Sequence, residues 1–126
     1  MSYNIAVAGK GGTGKTSLTG LLIDILLKEK KKPILVVDAD ANANINEVLG
    51  VEVESTIGQI REEANMTEKR GNSFPGGMTK AQFLQWKLNS ILVEGDGYDL
   101  LVMGRSEGEG CYCFVNGILL YIQRWK

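Results

Sequence analysis

An α/β fold, with helices flanking a mainly parallel sheet, is what this sequence predicts, on three observations. Two short runs, Tyr3 to Ala8 and Ile34 to Val37, are apolar without strict alternation, the pattern of strands covered on both faces. A helical pattern opens at Lys15 between them, so strand, helix and strand follow one another as a βαβ unit with a right-handed crossover. A third apolar run, Tyr98 to Met103, supplies a further strand. The chain has 126 residues, one domain's worth, and 1–126 is read as a single domain.

In the first helix Leu18, Leu21, Leu22, Ile25 and Leu26 fall on one broad face, which is expected to meet the core. Lys28, Lys30, Lys31 and Lys32 close that helix, where they suit the negative end of its dipole and read as solvated surface. Pro33 stops any continuation. Asn42 to Asn46 is polar and turn-like, and Ile45 to Leu49 forms a short helix stopped by Gly50. Thr56 with Gln59 makes a capping box for a helix running to about Asn65. Gly71 to Gly77 is loop. Thr79 with Gln82 makes a second box, before a helix carrying Phe83, Trp86, Leu88, Ile91 and Leu92 that Gly95 to Gly97 breaks. Gly104 to Gly110 is loop again, and Val115 to Tyr121 is expected to begin another helix.

The formal net charge is −1, so no strong field points to nucleic acid or anionic lipid, and neither is expected as a partner. No window reaches the ~18 apolar residues of a membrane span. The first apolar stretch runs straight into a glycine loop and does not read as a signal peptide. The two cysteines stand two positions apart, a poor start for a stapled secreted fold; a cytoplasmic protein with reduced thiols is expected.

Gly9-Lys10-Gly11-Gly12-Thr13-Gly14-Lys15-Thr16 fits the phosphate-loop pattern G-x-x-x-x-G-K-[ST]. Its glycines let the backbone curl until several N–H groups face one anion, and the helix that follows adds its positive end there. Lys15 would reach the β- and γ-phosphates, Thr16 would ligate Mg²⁺ and Ser17 could touch the α-phosphate. The expected fold is therefore a P-loop nucleotide-binding domain, with ATP or ADP and Mg²⁺ as its ligands. The bland alternative is a plain strand-to-helix turn, which the placement after an apolar run and before a helix opposes.

Asp38 and Asp40 follow the second strand, at the carboxyl edge where ligands of such folds bind. Two apart on extended backbone, they point the same way and both could face the loop. The alternative is that one of them caps the next turn. Cys111 and Cys113 form a C-x-C pair, and soft thiolates bind Zn²⁺, Ni²⁺ and Cu(I). One pair supplies two ligands where a closed zinc site takes four, and two chains about a two-fold axis would supply four. Buried free thiols are the competing reading.

Lys10 is a surface lysine or something more specific. Lys10-Gly11-Gly12-Thr13-Gly14-Lys15 resembles the deviant Walker loop of the ATPase group containing MinD, ParA and the nitrogenase iron protein. The resemblance implies a homodimer in which this extra lysine crosses the interface to the partner's phosphates and stabilises the transferred phosphoryl group. It implies a first switch at the two aspartates, read as Asp38 for Mg²⁺ and Asp40 for the attacking water. Where that group often has proline after the second Asp, this chain has Ala41; where many relatives have a second-switch Asp, it has Gly104.

Three further segments are more specific. Ser73 to Met78, Leu92 to Arg105 and Gly110 to Asn116 resemble the CooC-type ATPases, accessory proteins for nickel insertion into carbon monoxide dehydrogenase. This likeness runs from Asn4 to about Leu120. It implies ATP hydrolysis coupled to nickel delivery, with the cysteine pair holding Zn²⁺ or Ni²⁺ at the dimer interface and a carbon monoxide dehydrogenase or related nickel enzyme as partner. Gly104 fits this group, whereas Ser106 and Glu109 stand where prolines are expected. Its members continue for roughly as long again, so a truncated, N-terminal portion is expected. The rivals are a nucleotide- or metal-binding fragment without turnover and a MinD- or ParA-like positioning ATPase.

Overall fold

The computed structural model describes residues 3–12, 14–40, 42 and 44–104. Its elements in chain order are α1 (Lys15–Lys28), β1 (Ile34–Asp38), α2 (Ile45–Leu49), α3 (Ile57–Lys69), a 3₁₀ turn (Pro75–Gly77), α4 (Lys80–Ile91), β2 (Val93–Glu94) and β3 (Tyr98–Val102).

The sheet is small and mixed, in the order β1-β3-β2. β1 and β3 run parallel, from Ile34 opposite Tyr98 to Asp38 opposite Val102. β2 turns back on β3 antiparallel, Val93 opposite Leu100 and Glu94 opposite Asp99. This short hairpin strand, which the sequence reading placed at the end of a helix, follows from the glycine break: Gly97 takes a φ of 86° and returns the chain.

Helices cover both faces. Ile34 and Val36 of β1 and Tyr98, Leu100 and Val102 of β3 pack with Ile23 of α1 and Ile45 of α2. Leu35, Val37 and Leu101 point the other way, against Ile57 and Ile60 of α3 and Leu88 of α4. The period-two side-chain alternation thus feeds two cores, and for that reason these strands read as unbroken apolar runs. Ile57, Leu100 and Leu101 are almost wholly buried, each such burial contributing about 1.5–3 kcal/mol.

The expected strand at Tyr3 to Ala8 does not form: this segment is irregular, and Tyr3 is 81 % and Ile5 60 % exposed. An apolar run reports that a segment can be buried; a strand also needs an edge to pair with. The open edges of this sheet are the outer sides of β1 and β2, and residues 3–8 pair with neither. The βαβ unit around α1 is accordingly not made, and the parallel pair is instead β1 with β3.

The inward face of α1 also differs from expectation. Leu18, Leu21 and Ile25 are more than half exposed, while Ile23 is buried and Leu27 joins it against the sheet. Gly20, three residues before Ile23 and seven before Leu27, brings the backbone of α1 against α2: a Cβ there would stand 2.5 Å from Val48 Cγ1. α1 is apolar nearly all round, so periodicity alone could not choose the face that a glycine contact selects.

Both capping boxes form. Thr56 N–H donates to Gln59 Oε1 at 2.9 Å while Gln59 N–H donates to Thr56 Oγ1 at 3.3 Å. Thr79 and Gln82 repeat the exchange at 2.9 and 3.2 Å. The first helix so capped runs on to Lys69, one turn past its expected end. Ion pairs join it to α4, Lys80 to Glu68 at 2.7 Å and Lys87 to Glu63 at 3.6 Å. Among the described residues no helix is long and apolar enough to cross a membrane.

Candidate functional site

The glycine loop opens onto α1. Gly12 and Gly14 take φ values of 81° and 85°, and around Gly11, Gly12 and Gly14 a Cβ would meet no atom within 4 Å. Glycine is needed here for backbone direction and leaves open space beside the chain. Gly14 occupies the N-cap of α1 without a side-chain cap, and no acidic residue stands in the first turn. The positive end of a 14-residue helix is thus turned to the loop with no carboxylate of its own turn to neutralise it. Gly9, Lys10 and Ser17 are exposed around it. Thr13 lies outside the described residues.

β1 delivers the second half of the site. Asp38 ends the strand and Asp40 follows two residues later, both at the carboxyl edge of the parallel pair. Lys15 Nζ stands 3.7 Å from Asp40 Oδ2. Thr16 Oγ1 donates to Asn44 Oδ1 at 2.8 Å. Asp38 organises the turn between: its Oδ1 accepts from Asp40 N–H and its Oδ2 from Ile45 N–H, both at 3.2 Å. Asp40 Oδ1 accepts from Asn42 N–H at 3.0 Å. Lys15, Thr16, Asp38 and Asp40, 22 residues and more apart between the two segments, are therefore one constellation. Of the two readings left open for the aspartates, Asp38 caps the turn and Asp40 faces the loop lysine.

Asn44 belongs to this constellation and was read from sequence only as part of a polar turn. Its bond to Thr16 spans 28 residues, so no local pattern signals it.

The glycine two residues past β3 has a steric explanation. Gly104 has a φ of 65°, and a Cβ there would come within 2.7 Å of Thr56 Oγ1 and 2.8 Å of its Cβ. Gly58 N–H donates to Met103 carbonyl at 2.8 Å, and Met103 N–H to Asp38 carbonyl at 2.9 Å, locking the start of α3 against both strand ends. A carboxylate at Gly104 would have no room.

The donor set at the loop consists of a hydroxyl and two carboxylates, hard oxygens of the kind Mg²⁺ takes. Mg²⁺ on a nucleotide needs only one or two protein oxygens, the phosphates and water giving the rest. The residues present fit it, although the described residues hold no group of three or more His, Cys, Asp or Glu side chains placed so as to hold a metal ion by themselves. Cys111 and Cys113 lie outside the described residues. A cavity of about 530 Å³ opens on the other flank, lined by Glu52, Glu54, Glu63, Glu94 and Lys87; its acidic wall suits no phosphate, and no loop residue reaches it.

Residues 5–118 match the family described as the CobQ/CobB/MinD/ParA nucleotide binding domain. The chain is 58 % identical over 118 residues to the uncharacterized ATP-binding protein MJ0685 of Methanocaldococcus jannaschii, covering 94 % of this chain and 46 % of that protein. It is 32 % identical over 124 residues to the carbon monoxide dehydrogenase accessory protein CooC of Rhodospirillum rubrum, covering 86 % of this chain and 44 % of CooC. A second M. jannaschii ATP-binding protein, MJ0823, is 33 % identical over 127 residues, 95 % of this chain and 48 % of its own length. The chain thus spans just under half the length of each of these relatives. No solved structure matches.

Proposed function

The chain belongs to the CobQ/CobB/MinD/ParA nucleotide-binding family, and from that premise we propose that it binds ATP with Mg²⁺ and hydrolyses it as part of a metal-delivery accessory protein. The observation that carries the nucleotide half is the meeting of Lys15 with Asp40, and of Thr16 with Asn44, at the mouth of an open glycine loop.

ATP phosphates enter at the amino end of α1, where loop N–H groups receive them. Lys15 leaves Asp40 for the β- and γ-phosphates, a stronger anion. Thr16 Oγ1, with Asp38 behind it, would hold Mg²⁺, which would supply positive charge to offset that of the phosphates. Asp40, released from Lys15, accepts a hydrogen bond from the attacking water and aligns it with the γ-phosphorus. Lys10 of a second copy supplies the positive charge that offsets negative charge on the transferred phosphoryl group. ATP and water become ADP and phosphate, and the dimer that ATP bridges then opens or rearranges.

The delivery half rests on sequence. C-x-C gives two thiolates, the chain has no histidine and no other cysteine, and four sulfurs therefore require two chains. In this reading Cys111 and Cys113 hold one Zn²⁺ or Ni²⁺ per dimer, in the cytoplasm, for a carbon monoxide dehydrogenase or related nickel enzyme. The likeness to CooC supports that choice of partner. Because the chain spans under half of its relatives, a nucleotide- and metal-binding fragment without turnover is the second reading; a MinD- or ParA-like positioning role is a third.

Metal-to-chain stoichiometry with X-ray absorption at the metal edge tests the cysteine site, and sedimentation with a slowly hydrolysed ATP analogue tests the dimer. One metal per two chains on four sulfurs is expected, lost when both cysteines become serine. One metal per chain on mainly oxygen ligands would refute the shared site. Steady-state phosphate release separates the favoured reading from the fragment without turnover.

A further inference from the structure

We propose that Asn44 is a positioning residue for the Thr16 hydroxyl, fixing which side of that oxygen is offered to Mg²⁺. The proposal rests on the reading of the loop as an ATP·Mg²⁺ site.

A hydroxyl near the start of a helix has local options. Thr19, three residues on, takes the common one and donates to the carbonyl four residues back, Lys15, at 2.7 Å. Thr16 does not. It donates to Asn44 Oδ1 at 2.8 Å, across 28 residues of sequence. A threonine hydroxyl has one proton and two lone pairs. With the proton committed to Asn44, the lone pairs are turned to the opposite side, and the oxygen is oriented as a ligand before any cation arrives.

Asn44 is itself held for this task. It is the N-cap of α2, a place where asparagine ordinarily bonds an amide of its own helix. Here its side chain makes no such bond. Glu47 N–H, one of the amides an N-cap side chain would take, donates to the Asn44 carbonyl at 3.1 Å, and Asp38 Oδ2 takes the Ile45 N–H. The Asn44 amide is left to reach α1. Asparagine also suits the place by charge. An aspartate would accept the same bond, but it would add a third carboxylate beside Asp38 and Asp40 where phosphates must bind.

The bond is exposed, so its loss should cost the fold little. Its effect belongs to the metal. The test is calorimetric titration of the full chain with ATP, once with Mg²⁺ and once with a chelator. For the parent chain Mg²⁺ tightens ATP binding. For Asn44→Ala that gain falls by about 10-fold, the size usual for partners that orient a metal ligand, while affinity without Mg²⁺ stays as it was. Asn44→Asp restores most of the gain, and Thr16→Ala combined with Asn44→Ala loses no more than Thr16→Ala alone. An Asn44→Ala chain with the full Mg²⁺ gain overturns the proposal, as does one that loses affinity equally with and without Mg²⁺. A parent chain that binds no ATP under either condition overturns the underlying reading instead, and the parent titration alone distinguishes the two.

Discussion

Lys15 and Asp40 face each other across the mouth of the phosphate loop, Nζ to Oδ2 at 3.7 Å. Both side chains reach solvent, and a surface pair at that distance is worth at most about 1 kcal/mol. The contact is too weak to hold the fold; under the proposed reading it parks a cation beside the anion site and is undone when a stronger anion arrives.

Asp40→Asn separates those roles. Removing the carboxylate takes away Lys15's competing partner and one negative charge near the phosphates, so ATP·Mg²⁺ should bind as well as before or up to about 10-fold tighter. Hydrolysis should fall by about 100-fold or more, because the water loses its acceptor. Calorimetry and phosphate release measure the two. An Asp40→Asn chain that binds ATP poorly would place Asp40 in ligand binding rather than in water orientation.

Gly104→Ala should destabilise the fold by about 1–3 kcal/mol. Two effects combine there: a φ of 65° and a Cβ driven into Thr56. Making room with Thr56→Gly should recover part of that loss, so the double variant is less destabilised than the two single effects added. Urea unfolding followed by circular dichroism measures it, and a Gly104→Ala chain as stable as the parent would remove the steric explanation for the missing carboxylate.

Tyr98 should make stability depend on pH at the alkaline end. Burial raises its phenol above the ordinary 10.0, and the Asp96 carboxylate adds to the rise. The native state favours the neutral phenol, so the contribution is complete below about pH 10 and is lost as pH climbs through the raised value. Unfolding free energy followed from neutral to strongly alkaline pH should bend downward above pH 10 in the parent and bend less in Tyr98→Phe. The ring also lies over Gly95, where a Cβ would stand 2.3 Å from its Cζ. Gly95→Ala should therefore lower stability near neutral pH, where Tyr98→Phe does little.

What was legible in the sequence was local. Thr56 with Gln59 and Thr79 with Gln82 announce their helices because the bonds they make span three residues. Gly50 ends α2 as expected, in the left-handed conformation that glycine adopts without strain. β1 and β3 read as buried strands because helices cover both their faces. The misses depend on distant partners. Tyr3 to Ala8 has the composition of a strand but pairs with no edge here. The inward face of α1 was settled by Gly20 meeting Val48, a contact 28 residues away that an apolar-all-round helix does not reveal. In the candidate site, the loop glycines, Lys15, Thr16 and the two aspartates were singled out by motif and by position at a strand end, and the structure brings Lys15 to Asp40. Asn44 was missed because its bond to Thr16 links two segments that no short pattern joins.

The most direct test of the nucleotide site is titration calorimetry of ATP with Mg²⁺ into the parent chain and into Lys15→Ala. Lys15 reaches solvent and pairs only weakly, so the variant should keep the parent's thermal transition to within a few degrees. The expected result is saturable binding of one ATP per chain by the parent and at least a ~100-fold loss in Lys15→Ala. Equal affinity in the two folded chains would contradict the assignment of the loop from Gly9 to Thr16 as the phosphate site.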